Sequence, residues 1–310
     1  MAVRTFLIAG VLVSAMLLGG CVAVMGGGGS AERVSVQAGV SENFVPQDLF
    51  IADVSSNVLI YTANINKSNP PLLGEITQGV SRSTGVCIDR QGTLYVLNFG
   101  GSAVNVTEYK RGSSTPFKTI TNGLDYPNSL TVDRYANLYV GQRASSGVVV
   151  VVAVYAKGAS SPTRTIQVGG AGVAGGMAFD ANGDLLVDVF DVKTNAAAVY
   201  SVAPGSSKAI NLNLQNALGG SLGADRAGYI YVGDHEGNIA VYASGNSSIV
   251  RTINLNTGGF YAQIAVTAAG TIYWPNYQQG KMYEIAPAAS GATNVFSTAV
   301  SGIAASVGPW

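Results

Sequence analysis

Apolar and polar positions along the chain form a unit that returns at an almost constant interval. Each unit has a short apolar run ending in Asp (Thr in the last copy), a turn with Gly or Asn, and a second apolar run rich in tyrosine. This order predicts a tight hairpin between two strands. Five copies occupy residues 89–96, 133–140, 180–187, 225–232 and 267–274, and residues 49–51 begin a sixth.

The spacing of the units predicts the kind of repeat. The leucine or isoleucine that starts the second run stands at positions 49, 94, 138, 185, 230 and 272, so the intervals are 45, 44, 47, 45 and 42 residues. Repeats of about 40–50 residues with four strands each are typical of propeller blades. The pattern therefore predicts an all-β, six-bladed β-propeller with four-stranded antiparallel blades.

Two residue types at repeated positions have structural interpretations. The turn aspartates, such as Asp89, are expected to accept backbone N–H groups of their own turns. A third strand in each unit carries a tyrosine, and we expect these rings to pack between neighbouring blades, since aromatic residues suit half-buried pleated surfaces. The tyrosines are Tyr61, Tyr109, Tyr155, Tyr200, Tyr242 and Tyr283.

The two ends of the repeated region complement each other. The unit at Leu49 lacks the apolar run that precedes every other unit, and residues 302–305 form such a run with no unit after it. Aligning Ser306 with Asp89 makes residues 302–305 the innermost strand of the first blade. We therefore expect the C-terminal strand to join the N-terminal blade and close the ring without an open sheet edge.

The first forty residues differ from the repeats. Residues 1–20 have Arg4 near the start, an apolar run too short to span a bilayer comfortably, and small residues before Cys21, as in a signal peptide. Residues 21–40 contain a run of four glycines and have the composition of a flexible tether. Residues 41–310 hold the repeats, so we expect a single propeller domain there.

Residues 18–21, Leu-Gly-Gly-Cys, resemble the lipobox of bacterial lipoproteins. The resemblance implies that Cys21 becomes the lipidated first residue of the mature chain and attaches the protein to a membrane. Val22 follows the cysteine rather than Asp, which by the same resemblance implies the outer membrane of the bacterial cell envelope. Simple secretion and an uncleaved anchor remain alternatives.

Charge and rare residues narrow the chemistry. Lys plus Arg and Asp plus Glu both number 17, which gives no electrostatic reason to expect nucleic-acid binding. Cys87 lies in an apolar run and is interpreted as a core residue. His235 is the only histidine, so a zinc site with several histidines or a pair of catalytic histidines is excluded.

The Asp-x-x-Gly-x-Leu-Tyr-Val pattern with its later tyrosine strand resembles the NHL-repeat and SMP-30/gluconolactonase group of six-bladed propellers, over about residues 41–310. That group includes metal-dependent lactonases, lyases and interaction modules, so the resemblance implies architecture more than activity. It implies that ligands bind at the axial face where inner strands begin and second strands end. The candidate residues of this face are Asp53, Asn98, Asn128, Gln142, Asp188, Asp234 and Asn276.

The resemblance leaves two functions open. In the lactonase-like enzymes an Asp in a Pro-Asp-Gly segment holds a divalent metal and acts as a base, but the nearest match here is Asn128, whose amide cannot take a proton. We therefore expect a membrane-tethered, non-catalytic binding domain without a cofactor, whose axial face takes a protein, glycan or small ligand. The alternative is a lactonase-type hydrolase with Ca²⁺ or another divalent cation at Asp188, Asp234, Asn128 and Asp53. Polar residues also end strands because turns favour them, so a purely structural role stays open for each.

Overall fold

Six antiparallel sheets of four strands each make up the part of the chain that the structure, a computed structural model, describes. This arrangement is a six-bladed β-propeller and confirms the predicted fold. No helix among the described residues is long and apolar enough to cross a membrane. The described residues are 47–63, 70–100, 104–143, 149–191, 194, 196–217, 219–234, 236–255, 257, 263–298 and 302–308.

Blades 1 to 3 follow the repeat in chain order, except that blade 1 also takes the last strand of the chain. Blade 1 contains β1 (Asp48–Asp53), β2 (Asn57–Thr62), β3 (Leu72–Ile76) and β24 (Gly302–Gly308). Blade 2 contains β4 (Ser83–Ile88), β5 (Leu94–Asn98), β6 (Asn105–Tyr109) and β7 (Pro116–Ile120). Blade 3 contains β8 (Pro127–Val132), β9 (Leu138–Arg143), β10 (Val150–Tyr155) and β11 (Arg164–Val168).

Blades 4 to 6 are each formed by four consecutive strands. Blade 4 contains β12 (Val173–Phe179), β13 (Leu185–Asp191), β14 (Ala196–Val202) and β15 (Ala209–Asn211). Blade 5 contains β16 (Ser221–Ala224), β17 (Ile230–Gly233), β18 (Asn238–Tyr242) and β19 (Ile249–Asn254). Blade 6 contains β20 (Ala265–Val266), β21 (Ile272–Asn276), β22 (Lys281–Ile285) and β23 (Asn294–Ser297).

The position of a strand within its blade determines its pattern of burial. Middle strands are covered on both faces by neighbouring blades, so β5 and β10 are apolar and buried almost throughout. Outer strands face solvent on one side, so β7 and β19 alternate between more and less exposed residues. The hydrophobic core therefore lies in layers between successive blades rather than in one central mass.

The last strand closes the ring. β24 pairs antiparallel with β1, and this confirms that the C-terminal strand completes the N-terminal blade. The expected alignment was wrong by two residues: Leu49 pairs with Val307, as Leu94 pairs with Ile88, so Gly308 takes the place of Asp89. The segment has small apolar residues and no turn aspartate, so its sequence does not specify its register.

The tyrosines of the third strands pack between blades, as expected. Five of the six are buried, and Tyr200 is half-buried. Their hydroxyls add a contact that the sequence did not predict. Tyr109 donates to Gln78 O at 2.7 Å and Tyr155 donates to Asn122 O at 2.7 Å, and both carbonyls belong to the connection from the preceding blade. These two tyrosines therefore fix their own blades to the chain that enters them.

Strand direction defines two axial faces. The inner strands begin, and the second strands end, at the face that we call the strand-end face. The inner strands end at the opposite face, in turns at residues 89–93, 133–137, 180–184, 225–229 and 267–271, and we call it the turn face. At the first of these turns, Asp89 Oδ1 accepts the N–H groups of Gln91 and Thr93, both at 2.8 Å. This confirms the structural interpretation of the turn aspartate.

Candidate functional site

Two candidate residues of the strand-end face hold the connections that lead into their blades. Asn98 accepts the N–H of Ser81 at 2.9 Å and donates to Gly79 O at 3.1 Å. Gln142 occupies the equivalent position one blade later, where its amide accepts the N–H of Asp125 at 2.8 Å and donates to a carbonyl of the same connection. Both side chains are buried, and their amide groups already form hydrogen bonds within the fold.

Asn276 and Asp234 also bind their own surroundings. Asn276 donates to Thr257 Oγ1 at 2.6 Å and accepts the N–H of Gln279 at 3.0 Å. Asp234 Oδ1 accepts the N–H groups of Glu236 and Asn238, and its Oδ2 accepts the Asn238 side-chain amide, all at 2.8 Å. The Asp234 bonds and the bond from Gln279 stabilise the turns that follow β17 and β21, whereas the Thr257 bond ties Asn276 to the connection that enters blade 6.

Asp188 is the most unusual of the candidates. It is fully buried, its Oδ2 accepts the N–H of Gly220 at 2.8 Å, and its Oδ1 has no hydrogen-bond partner within the described residues. Burial disfavours the charged carboxylate and raises the pKa of Asp188 to about 7, while the Gly220 N–H acts in the opposite direction. A Cβ at position 175 would lie 2.5 Å from Asp188 Oδ2, so glycine is needed there.

Asp188 points away from the side occupied by the other strand-end residues. It is the fourth residue of β13, whereas Asn98 and Gln142 are the fifth residues of their strands. Successive side chains of a strand face opposite sides, so Asp188 contacts the entry to the next blade at Gly220 rather than the connection behind it. The sequence pattern groups Asp188 with Asn98 and Gln142 because its position in the repeat differs from theirs by only one residue.

Asp53 and Asn128 occupy contrasting environments. Asp53 is fully buried, and neither carboxylate oxygen has a hydrogen-bond partner in the part of the chain that the structure describes. Its backbone carbonyl accepts the hydroxyl of Ser83 at 2.8 Å. Asn128 lies in an irregular step of β8, between the paired residues Pro127 and Ser129, and its side chain is exposed.

The four residues considered for a divalent metal do not form a ligand set. Asp234 uses both carboxylate oxygens in its own hairpin, and Asp53 and Asp188 belong to blades 1 and 4, on opposite sides of the ring. Across the described ranges, no group of three or more His, Cys, Asp or Glu side chains is placed to hold a metal ion. We therefore derive no chemical step through a metal, and Ca²⁺ binding stays a prediction.

Three other residues singled out in the sequence have different outcomes. Cys87 is buried, and burial, together with the nearby Asp89 and Glu108 carboxylates, raises the pKa of its thiol. This supports its interpretation as a core residue, because the reactive form of cysteine is the thiolate. Cys21 and His235 lie outside the described residues.

A large opening lies on the turn face, where the sequence predicted no site. A cavity of about 710 Å³ lies among the turns of blades 2 to 6 and the side chains between blades 3 and 4. Its charged lining includes Arg90, Arg134, Arg164 and Arg226. The sequence signal was the dipeptide Asp-Arg in three of the repeated turns, which was interpreted only as turn chemistry.

The opening continues into the axis of the propeller. A smaller cavity of about 190 Å³ is lined by the inner strands and shares Ile88, Val132 and other residues with the large one. Gln263, from blade 6, also lines this cavity and donates to Val86 O at 3.0 Å. Its side chain therefore reaches from blade 6 to the inner strand of blade 2.

The geometry defines the class of protein as a six-bladed β-propeller, and comparison with solved structures agrees. The chain is similar to a structure described as "Crystal structure of Nidogen/Laminin Complex", with a TM-score of 0.66, 13% identity, and 84% of this chain and 98% of that chain covered. It is also similar to a protein of unknown function from Bacteroides caccae, with a TM-score of 0.59, 15% identity, and coverages of 84% and 98%.

A third similar structure is the Kuenenia stuttgartiensis hydrazine synthase, with a TM-score of 0.52, 16% identity, and coverages of 76% and 72%. The sequence matches no protein-family model and no curated protein. At these identities the likeness establishes the fold alone.

Proposed function

We propose that the protein is a non-catalytic binding propeller, tethered to the bacterial cell envelope through lipidated Cys21, that takes a protein, glycan or small ligand at an axial face. The observation that carries this proposal is the use of Asn98, Gln142, Asp234 and Asn276 within their own connections and turns. Asn98, Gln142 and Asn276 are amides and cannot act as acids or bases, and Asp234 uses both carboxylate oxygens within its own hairpin.

The similar structure from the nidogen–laminin complex supports the same proposal by analogy. Its description names a nidogen–laminin complex, in which a propeller of similar fold forms part of a protein assembly. A propeller presents several loops on one rigid face, which suits recognition of a partner surface. We also propose that the propeller is related to the NHL-repeat and SMP-30/gluconolactonase proteins. The proposed lipid anchor implies an outer-membrane location.

The lactonase-type alternative is kept because of Asp188. Its raised pKa of about 7 is near the value at which a carboxylate serves best as a general base at neutral pH. Its Oδ1 has no hydrogen-bond partner among the described residues, although the side chain is fully buried. A lactonase also needs a group that polarises the carbonyl. The four residues considered for a divalent cation do not form a ligand set, so this requirement counts against the alternative.

Hydrolysis of a δ-lactone, measured with added Ca²⁺, Mn²⁺ or Zn²⁺, separates the two functions. We expect no turnover above the buffer rate by the wild-type protein. The comparison variants are the double variant Asp188→Ala/Asp234→Ala and the control Asp180→Ala, which removes an equivalent turn carboxylate from the opposite face. Metal-dependent turnover that is lost in the double variant and kept in the control would overturn the non-catalytic proposal.

A further inference from the structure

Three arginines lie at equivalent positions around the turn-face opening. Arg90, Arg134 and Arg226 each follow the turn aspartate of their unit, in blades 2, 3 and 5, and all three are exposed. Two other units have alanine at this position, Ala181 and Ala268. Because the turns of successive blades surround the propeller axis at the turn face, the repeat itself brings these guanidinium groups to one cavity.

Two of these guanidinium groups are available for a ligand. Across the described ranges, neither Arg90 nor Arg134 forms an ion pair, and the Arg134 guanidinium lies 4.9 Å from the centre of the Tyr135 ring. Arg164 differs, because it donates to Ser206 O at 2.7 Å and is partly buried. The exposed arginines therefore keep most of their hydrogen-bonding capacity for a bound molecule.

The aspartates that share the cavity are directed into the protein. Asp89, Asp133 and Asp180 each use Oδ1 to accept two backbone N–H groups of their own turns, and Asp225 accepts the N–H of Tyr229 and the hydroxyl of Tyr231. The lining holds four arginines and four aspartates, so its formal charge is zero. Attraction of an anion is thus a short-range effect of the exposed guanidinium groups.

The opening has an exposed aromatic side chain. Tyr135 lines the cavity and is 64% exposed. Tyrosine and arginine are the residue types that contribute most to protein interfaces, since each combines apolar area with directed hydrogen bonds. A cavity of about 710 Å³ is also within the range of sites that enclose several side chains or a whole small ligand.

We propose that the turn-face opening binds an acidic peptide segment of a partner protein, with its carboxylates paired to Arg90 and Arg134. The planar guanidinium matches a carboxylate through two parallel hydrogen bonds. Arg90 and Arg134 come from neighbouring blades, so a segment with two carboxylates contacts both, and its apolar parts lie on Tyr135. This site is on the face opposite the strand-end residues and does not depend on their role.

Fluorescence anisotropy of the full-length chain with a labelled hexaglutamate peptide tests the proposal. We expect hexaglutamate to bind, and a hexaglutamine peptide of equal length to bind at least about tenfold more weakly. The variant Arg90→Gln/Arg134→Gln should weaken hexaglutamate binding about tenfold. The matched control Arg82→Gln/Arg143→Gln removes the same charge from the strand-end face and should leave the affinity within about twofold.

Several results would overturn the acidic-peptide site. These are no measurable binding of hexaglutamate, equal binding of hexaglutamine, or equal weakening by the control variant. Competition by pyrophosphate as strong as that by unlabelled hexaglutamate would instead assign the opening to small anions. The lactone assay does not bear on any of these results, so failure of the two proposals can be told apart.

Discussion

Replacing Asp188 by Asn removes a buried carboxyl group and nearly preserves the shape of the side chain. In the variant Asp188→Asn, the amide oxygen of the new side chain can still accept the Gly220 N–H that Oδ2 accepts at 2.8 Å. What changes is titration, because the variant cannot ionise at position 188. The perturbation therefore isolates the cost of holding a carboxylate at a fully buried site.

The direction and size of the effect follow from the pKa of Asp188. Folding raises this pKa from 3.8 to about 7, so the folded state holds a proton between these values that the unfolded state has lost. The contribution of Asp188 to the free energy of unfolding is therefore fully present below about pH 4. It falls as the pH rises through about 7 and is constant above that. Linkage over this shift gives a total loss of about 4 kcal/mol, of which more than half falls between about pH 5 and pH 8.

Urea unfolding and thermal melting at about pH 5 and about pH 8 measure the effect. Relative to wild type, Asp188→Asn should gain about 2 to 3 kcal/mol on going from the lower to the higher pH, or about 5 to 10 °C in melting midpoint. Asp188→Ala also loses the Gly220 hydrogen bond, so it should be less stable than Asp188→Asn at both values but have the same pH dependence. A wild-type pH dependence retained in both variants would refute the reasoning.

Three further predictions concern the tyrosine contacts, the closure and the anchor. Tyr155→Phe should lower the free energy of unfolding by about 1 kcal/mol, since Asn122 O loses its donor, whereas Tyr135→Phe at an exposed ring should change it by less than about 0.5 kcal/mol in the same urea titration. Deleting residues 300–310 removes β24 from β1 and should lower the melting temperature of the whole domain; an unchanged value contradicts closure by this strand. Cys21→Ser should release the protein from membranes, and variant protein that stays in the pellet after a carbonate wash contradicts lipid anchoring.

The sequence predicted the blades well because each unit contains its own folding signals. A turn such as 89–93 needs an aspartate and a glycine at fixed positions, and Gly92 has a φ of +85° that few other residues adopt. These signals are local and repeat in five of the six units with little change. The number of blades and the closing strand follow from counting them.

The site was less predictable because it depends on features smaller than the repeat. The position of Asp188 differs from that of Gln142 by one residue, and this offset reverses the side of the strand on which the side chain lies. The grouping of Arg90 and Arg134 depends on curvature of the ring, which brings together turns that are 44 residues apart. Neither property is visible in the pattern of any single unit.

The pairing of β24 with β1 makes the blade order circular. Asp48 lies opposite Gly308, so a short linker between these residues would turn blade 1 into four consecutive strands like the other five. A chain permuted in this way, beginning at Val173, would keep every blade intact while its new ends fell between blades 3 and 4. In the permuted chain, hydrogen bonds between strands would no longer join the first blade to the last. Only side-chain packing between those two blades would close the ring.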